Sequence, residues 1–343
     1  MTKDHFRKRV LLGFSGGIDS SHAAELLRAG GYEVTALYMD MYGDGAQLEK
    51  AQDRAREMGL PLRTVDLRER FRRDVVDYFI DEYLCGRTPA PCTVCNRDIK
   101  WAVLRETALR EGYGHIATGH YFNVEEYGGR LYVSAAADKL KDQSYYLWAL
   151  DRQTLSMALT PMGGQIKEDV KRSLGNPGRQ KESMGVCFLC GKNYAEFLLA
   201  ECGDRIREGE ITDREGRVIG RHEGVPYYTI GQKRGLPPGC CVTGIDPGAN
   251  RVIAGTDADL YHTNLIISGC HIVDMDETLS AEDITVKIRG IGRNPEGACR
   301  IYRHEKGLRI VLSDPAWAAA KGQPVVFYRQ RRVIGGGFLE EYF

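Results

Sequence analysis

A glycine- and serine-rich segment at residues 13–21, GFSGGIDSS, constrains the fold of this chain more than any other feature. It follows the apolar run of residues 10–12, which predicts a buried strand, and precedes Ala23, Ala24, Leu26 and Leu27, whose spacing predicts a helix. A strand, a tight turn and a helix in this order direct backbone N–H groups and a helix N-terminus at one spot. We therefore predict an anion site of the phosphate-binding kind rather than a plain turn with a serine N-cap.

The residues that this loop lacks are also informative. It contains neither the lysine of a Walker A loop nor the G-x-G-x-x-G pattern of a dinucleotide site. Its SGGxDS string resembles the PP-loop of the ATP pyrophosphatases, which cleave ATP between the α and β phosphates and adenylate a substrate oxygen. The resemblance implies that ATP lies over the loop and that Asp19 is a ligand of Mg²⁺.

Length and composition limit the classes of protein to consider. A chain of 343 residues is long enough for two or three domains. The formal net charge is zero, so a nucleic-acid partner would have to bind a local patch. No apolar run approaches the ~20 residues that span a membrane, and the polar N-terminus does not read as a signal peptide. We expect a soluble cytoplasmic protein with no membrane partner.

Strand-like and helix-like segments alternate through the first half of the chain and predict an α/β fold with a doubly wound parallel sheet. The glycine-rich loop, Met39 and Gly119 then fall at carboxyl ends of strands, where such sheets bind ligands. Residues 86–95 are predicted to form a loop, residues 96–111 a helix, and helical periodicity continues to about residue 200. Later β-like runs, among them residues 225–230, predict a small β-rich domain and a β-barrel, with domain limits 1–202, 203–265 and 266–343.

Ten cysteines are many for a chain of this length, and four of them form two C-x-x-C pairs. The pairs are Cys92 with Cys95 and Cys187 with Cys190, and both are predicted to lie in loops near helix starts. Such spacing lets two sulfurs grip one metal or exchange a disulfide. Structural zinc, an iron–sulfur cluster and reactive sulfur-carrying thiols all remain open, and the spacing alone favours zinc.

A series of motifs along the chain resembles the tRNA 2-thiouridylase family. In chain order they are GFSGGIDSS, GRTPAPCTVCNRDIKW, ATGHY, KDQSYYLWAL, GVCFLC, YYTIGQKRGL and GQPVVFY, and the match runs from about residue 9 to residue 343. The resemblance implies a PP-loop domain, a central β domain and a C-terminal β-barrel. It also implies adenylation at carbon 2 of the wobble uridine of tRNA, followed by replacement of the oxygen with sulfur.

The same resemblance implies roles for individual residues. Cys95 and Cys187 match the catalytic cysteines. The positions that match ATP-binding residues are Gly13, Phe14, Ser15, Gly16, Gly17, Ile18, Asp19, Ser20, Met39 and Gly119. The positions that match contacts with the target base or the tRNA are Ala90, Pro91, Cys92, His120, Lys141, Asp142, Gln143, Arg289 and Gln323. After Arg289 the chain departs from the family pattern.

Two further departures concern the cysteines. Many family members have aspartate where this chain has Cys92, and a small residue where it has Cys190. Cys92, Cys95 and Cys187 together resemble the three-cysteine site of thiolases that use a 4Fe–4S cluster, so Cys92 favours a cluster held by these three, with Cys190 as a candidate fourth ligand. The alternative is a persulfide on Cys187. The sulfur would come from a persulfide carrier protein, a cysteine desulfurase or inorganic sulfide.

Two other functions stay open from the residues alone. One is a PP-loop synthetase or amidotransferase that acts on a small molecule. The other is a zinc-stabilised RNA-binding protein whose ATP loop is a relic.

Overall fold

A computed structural model describes residues 8–173, 185–189, 191–290 and 292–343. The described chain divides into two compact units. The first contains residues 8–75, 92–173 and 331–334, and the second contains residues 76–91, 185–189, 191–290, 292–330 and 335–343. Cys190 lies outside the described residues.

A five-stranded parallel sheet forms the centre of the first unit. Its strands are β1 (Arg9–Gly13), β2 (Glu33–Asp40), β3 (Leu62–Asp66), β4 (His115–Ala117) and β7 (Ala158–Leu159), in the spatial order β3-β2-β1-β4-β7. Val10, Leu11 and Leu12 are fully buried, because a central strand of such a sheet is covered on both faces. The predicted doubly wound sheet is therefore confirmed.

Helices connect these strands. They are α1 (Ile18–Ala29), α2 (Gly45–Glu57), α3 (Arg68–Phe71), a π-helical turn (Arg72–Asp77), α4 (Tyr78–Leu84), α5 (Pro91–Val94), a second π-helical turn (Cys95–Lys100), α6 (Trp101–Glu111), α7 (Arg152–Met157) and α8 (Lys167–Ser173). The prediction of a loop through residue 95 was wrong, since helical structure begins at Pro91. Proline suits the first helical position, because its ring fixes φ and its missing N–H would have no partner there.

An antiparallel hairpin of β5 (Asn123–Tyr127) and β6 (Arg130–Ser134) interrupts the region predicted to be helical. The two strands are joined by Gly128 and Gly129, with φ of 59° and 73°. Two glycines with positive φ make the tight turn that matches the twist of a hairpin. The prediction of a helix was therefore wrong for this segment. The alternation of polar and apolar residues on either side of the glycine pair was the sequence signal for a hairpin.

The second unit holds two β structures and helix α9 (Tyr194–Cys202). The smaller sheet has the order β10-β11-β8-β9 and consists of β8 (Gly209–Thr212), β9 (Val218–His222), β10 (Cys241–Asp246) and β11 (Arg251–Gly255). Residues 225–230, predicted to be β-like, contain instead the 3₁₀ turn Val225–Tyr227, whose N-cap is Gly224. Pro226 lies near the start of this turn and has no N–H to donate to a strand ladder.

A six-stranded antiparallel barrel follows. Its strands are β12 (Tyr261–Ile272), β13 (Ile284–Lys287), β14 (Cys299–His304), β15 (Gly307–Trp317), β16 (Pro324–Arg329) and β17 (Arg332–Tyr342), with helix α10 (Met275–Ser280) between β12 and β13. Pairing of β12 with β17 closes the barrel and removes its free edges. The predicted C-terminal barrel is confirmed. Among the described residues, no helix is long and apolar enough to cross a membrane.

Candidate active site

The glycine-rich loop leaves the carboxyl end of β1 and enters α1. Its own hydroxyls tie it together: the Ser15 N–H donates to Ser20 Oγ at 3.3 Å, and Ser20 Oγ donates to the Gly17 carbonyl at 3.2 Å. Gly16 has a φ of 70°, and a Cβ atom there would lie 2.7 Å from Ala51 Cα of α2. Only glycine allows both this conformation and this approach. The loop is thus held close against α2 while its N–H groups lie at the helix N-terminus.

A cavity of about 270 Å³ opens beside this loop, within the first unit. Of the residues predicted to bind ATP, those that line it are Gly13, Phe14, Ser15, Asp19, Ser20, Met39 and Gly119. Gly16, Gly17 and Ile18 do not line it. Several other lining residues were not predicted from the sequence, namely Leu37, Tyr38, Met41, Lys100 and Thr118. Strand ends and an anion-binding loop therefore meet at one cavity of nucleotide-binding character.

Gly119 also has a backbone reason to be glycine. A Cβ atom at this position would lie 2.8 Å from the backbone nitrogen of Ser20 and 2.9 Å from the carbonyl carbon of Asp19. The end of the β4 connection therefore packs directly on the first turn of α1. Any side chain at residue 119 would push on the loop that shapes the cavity.

The Asp19 carboxylate is held on one side only. Its Oδ1 accepts hydrogen bonds from Tyr121 Oη at 2.9 Å and from Lys167 Nζ at 2.5 Å, and the Lys167 side chain is only 7% exposed. No described residue donates a hydrogen bond to Oδ2. A carboxylate fixed in this way, with one oxygen left for a ligand, suits a hard cation such as Mg²⁺. Lys167 lies far along the chain, and no sequence signal connected it with Asp19.

Two residues predicted to contact tRNA, His120 and Gln143, line the same cavity. Burial, with a contribution from the positive charge of Lys100, lowers the pKa of His120 to about 3, so its ring is neutral at pH 7. His120 Nδ1 lies 2.7 Å from Thr118 Oγ1, and Gln143 Oε1 accepts from the Tyr121 N–H at 2.9 Å. Both side chains are thereby fixed at the cavity.

Their neighbours Lys141 and Asp142 lie on a turn outside it. Asp142 Oδ1 accepts from the N–H groups of Ala136 and Ser144 at 3.1 and 3.2 Å, and its Oδ2 accepts from Ser144 Oγ at 2.9 Å. Asp142 therefore shapes this turn. Lys141 is partly buried, and its N–H donates to the Asp138 carbonyl at 3.2 Å.

Cys92 and Cys95 lie on the helical segment that begins at Pro91, and not in the loop that the sequence predicted. Residues three apart share a helix face. Cys92 is exposed and Cys95 is buried. The charge of Cys92 contributes, after burial, to a raised pKa of Tyr146. This arrangement places two thiols on one face of a rigid element, where they can serve sulfur chemistry or metal binding.

Cys187 belongs to the second unit and is exposed on the 3₁₀ turn Cys187–Leu189. The next residue, Phe188, anchors this turn by edge and tilted ring contacts, with centroids 5.1 Å from Phe79 and 5.5 Å from Phe197. In the described part of the chain, no three cysteine, histidine or acidic side chains come together as a metal site.

The stretch that leads to Ala90 and Pro91 is tied down within the second unit. Arg87 donates to Glu82 at 2.8 Å and to Glu340 at 2.7 Å, and the Thr88 N–H donates to the Lys321 carbonyl at 2.7 Å. A Cβ atom on Gly322 would lie 2.9 Å from the Thr88 carbonyl oxygen. The turn that carries Gln323 therefore lies against this stretch.

Arg289 lies on the barrel, in the second unit. Its Nη2 donates to the Ala318 carbonyl, and its guanidinium lies 5.3 Å from the ring centroid of Trp317. This cation–π contact holds the side chain along the barrel surface.

Fold and site together define a nucleotide-binding α/β protein of the PP-loop type, extended by two β modules. Three family models match in succession: the tRNA methyl transferase HUP domain over residues 8–191, the tRNA methyl transferase PRC-barrel domain over residues 195–256, and the aminomethyltransferase β-barrel domain over residues 262–339. The chain belongs to the tRNA-specific 2-thiouridylase family, as full-length relatives show.

Two of these relatives are named tRNA-specific 2-thiouridylase MnmA. The protein from Bacteroides fragilis, MnmA 1, is 38% identical over 97% of this chain and 97% of its own length. The protein from Chlorobium chlorochromatii is 39% identical over 97% of this chain and 98% of its own length. A solved structure, a predicted subunit of tRNA methyltransferase from Methanocaldococcus jannaschii, is 19% identical, covers 49% of this chain and 75% of its own, and has a TM-score of 0.35.

Proposed function

We propose that this protein is an ATP-dependent tRNA-uridine 2-sulfurtransferase, which replaces the oxygen at carbon 2 of the wobble uridine with sulfur. The observation that carries the proposal is the cavity at the end of β1, where a glycine-rich loop without a Walker lysine meets Asp19 and Gly119. Membership of the 2-thiouridylase family over nearly the whole chain supports the choice of acceptor. Three domains, over residues 1–202, 203–265 and 266–343, are part of this proposal.

The first step is activation of the uridine. The target base leaves the anticodon stack, since its carbon 2 is otherwise out of reach. The O2 atom bonds to the α-phosphorus of ATP, and pyrophosphate leaves with the bonding electron pair. Backbone N–H groups at the start of α1 bind the phosphates. Asp19, through Oδ2, would hold Mg²⁺, which supplies neutralisation of phosphate charge.

The second step brings sulfur to carbon 2. A persulfide on Cys187 attacks with its terminal sulfur, and AMP leaves with the former O2 atom. The Cys95 thiolate then attacks the Cys187 sulfur, so that a Cys95–Cys187 disulfide forms and the thio-base is released. An external thiol reductant must restore the two cysteines. The persulfide sulfur enters from a persulfide carrier protein or a cysteine desulfurase. Inorganic sulfide can serve only by attacking the Cys187 sulfur of the Cys95–Cys187 disulfide, which forms the Cys187 persulfide and frees the Cys95 thiolate.

Cys92 raises the alternative of a 4Fe–4S cluster on Cys92, Cys95 and Cys187 as the source of sulfur. No three-ligand group is found among the described residues, and the two steps above use Cys95 and Cys187 alone. One variant, Cys92→Asp, separates the two chemistries. Cys92→Asp restores the residue typical of the family and is expected to retain thiolation through a persulfide, whereas a cluster would lose a ligand. Iron and acid-labile sulfide in anaerobically purified protein, lost with Cys92→Asp, would instead support the cluster.

The tRNA contacts proposed from the family match are Ala90, Pro91, Cys92, His120, Lys141, Asp142, Gln143, Arg289 and Gln323. Of these, His120 and Gln143 line the nucleotide cavity. They are therefore suited to the part of the tRNA that reacts with ATP, namely the uracil ring.

One reaction tests the proposal. Purified protein is incubated with unmodified tRNA, ATP, Mg²⁺ and a persulfide donor (a cysteine desulfurase with cysteine), and the nucleosides are analysed by mass spectrometry. We expect 2-thiouridine, with AMP and pyrophosphate formed in equal amounts. Cys95→Ser should yield no released 2-thiouridine, whereas pyrophosphate release, which precedes the action of this thiol, should persist. Pyrophosphate released with a small-molecule acceptor but not with tRNA would contradict the proposal.

A further inference from the structure

Among the described residues, two charged side chains of opposite sign line the nucleotide cavity. Among the described lining residues, Lys100 is the one with a positive side chain and Asp19 the one with a negative side chain. ATP brings several negative charges into this space. The loop itself contains no lysine or arginine. Lys167 is nearly buried and committed to Asp19, so it does not line the cavity. Lys100 is therefore placed to meet phosphate charge.

The backbone that carries Lys100 is unusual. Lys100 is the last residue of the π-helical turn Cys95–Lys100, which joins α5 to α6. In an α-helix, residues five apart point about 140° away from each other, since each residue turns by ~100°. In a π-helix, the hydrogen bonds join residues five apart, so those side chains lie on one side. The π-helical turn thus puts Cys95 and Lys100 on the same side of the helix.

His120 lines the same cavity as Lys100. Burial, with a contribution from the positive charge of Lys100, holds the pKa of His120 far below its usual range. The neutral His120 ring does not repel the ammonium or compete with it for phosphate. His120 Nδ1 is engaged with Thr118 Oγ1 at 2.7 Å. Lys100 therefore supplies a positive charge to the cavity lining, whereas His120 supplies a neutral ring.

We propose that Lys100 is a catalytic residue of nucleotide activation, whose ammonium binds the α-phosphate of ATP and stabilises the charge that develops there. This inference rests on the proposed function. The uridine O2 donates an electron pair to the α-phosphorus, and the bond to the bridging oxygen breaks toward pyrophosphate. The N3 proton of the activated base passes to water. Lys100 keeps its own protons throughout, and acts only through its charge and its N–H donors.

The π-helical turn then has a mechanistic reason. It directs a cation at the phosphate that leaves as AMP, from the same element that bears the proposed sulfur-handling Cys95. One short backbone segment thereby fixes the position of Lys100, proposed for phosphate activation, relative to Cys95, proposed for sulfur transfer. π-helical turns often occur at functional sites for this kind of reason.

Three variants test the inference. Lys100→Met removes the charge and keeps the length of the side chain. Lys100→Arg keeps the charge. Arg97→Met is the matched control, because it removes a positive charge from the same π-helical turn at an exposed side chain that does not line the cavity. The readouts are the affinities for adenosine, AMP and ATP, and the single-turnover rate of tRNA-dependent pyrophosphate release.

We expect Lys100→Met to slow pyrophosphate release by about 100- to 1,000-fold, as for loss of one charge-stabilising donor. Its affinities for AMP and ATP should fall about 10-fold, while adenosine affinity stays unchanged and reports an intact cavity. Lys100→Arg should recover part of the rate, and Arg97→Met should behave as wild type. Wild-type rates and nucleotide affinities for Lys100→Met would overturn the inference. Absence of pyrophosphate release from the wild type would instead overturn the proposed function.

Discussion

Gly16→Ala tests whether the loop must lie against α2 to hold phosphate. The left-handed backbone of Gly16, with a φ of 70°, disfavours alanine by about 1–2 kcal/mol. The added Cβ would also lie 2.7 Å from Ala51 Cα, a contact that must be relieved by moving backbone, at about 1–3 kcal/mol. The expected loss of stability is therefore about 2–5 kcal/mol. Urea unfolding of the full chain measures it, and ATP titration measures the loss of nucleotide affinity.

Gly31→Ala is the matched control. Gly31 has a φ of 81°, but nothing lies within 4 Å of its added Cβ, so it should lose only the backbone part, about 1–2 kcal/mol, and keep its ATP affinity. The difference between the two variants measures the contact with Ala51. Equal losses for both would refute the reasoning from packing, and undiminished ATP affinity in Gly16→Ala would refute the assignment of the loop to phosphate.

Three further predictions concern other parts of the chain. The pKa of His120 is near its ordinary value of 6.5 in the unfolded chain and about 3 in the folded chain, so the unfolded chain binds the proton first as the pH falls. The free energy of unfolding should therefore fall by up to ~1.4 kcal/mol per pH unit below 6.5. His120→Gln should remove this contribution to the pH dependence of unfolding measured from pH 7 to pH 5. Arg87→Met should destabilise the chain by about 1–3 kcal/mol, because it leaves the carboxylates of Glu82 and Glu340 without their shared cation. Adding Glu82→Gln should restore part of this loss, as measured by thermal unfolding. Phe188→Ala should loosen the turn that carries Cys187, because it removes the ring contacts with Phe79 and Phe197. Alkylation of Cys187 should then be faster than in the wild type, and thiolation should fall while ATP affinity stays unchanged. An alkylation rate equal to that of the wild type would contradict the anchoring role of Phe188.

The parallel sheet and its binding edge were predictable because they depend on local patterns. Residues 10–12 form an apolar run that is long enough for a central strand. The glycine- and serine-rich loop that follows has a composition typical of phosphate-binding loops. Strand ends then had to meet at one edge. Asp19 and Gly119 could be assigned to that edge before any coordinate was known.

Other features depend on the tertiary fold or on a backbone choice that propensity does not reveal. Lys167 reaches Asp19 across 148 residues of sequence separation, and nothing near either residue indicates the other. Lys100 is the last residue of a π-helical turn, which sets the side of the helix on which it lies. No residue pattern predicts such a turn. By contrast, the hairpin and the early helix start had local signals, namely the glycine pair that begins at Gly128 and the proline at residue 91. Helical periodicity alone does not reveal either of them.

The central claim is that ATP is split in order to place sulfur on a tRNA uridine. The most direct measurement uses tRNA in which the wobble uridine O2 carries ¹⁸O, followed by mass analysis of the AMP formed. We predict that the ¹⁸O appears in AMP in proportion to the 2-thiouridine produced, because the O2 atom becomes bonded to the α-phosphorus before sulfur displaces it. 2-Thiouridine formed together with unlabelled AMP would contradict the account.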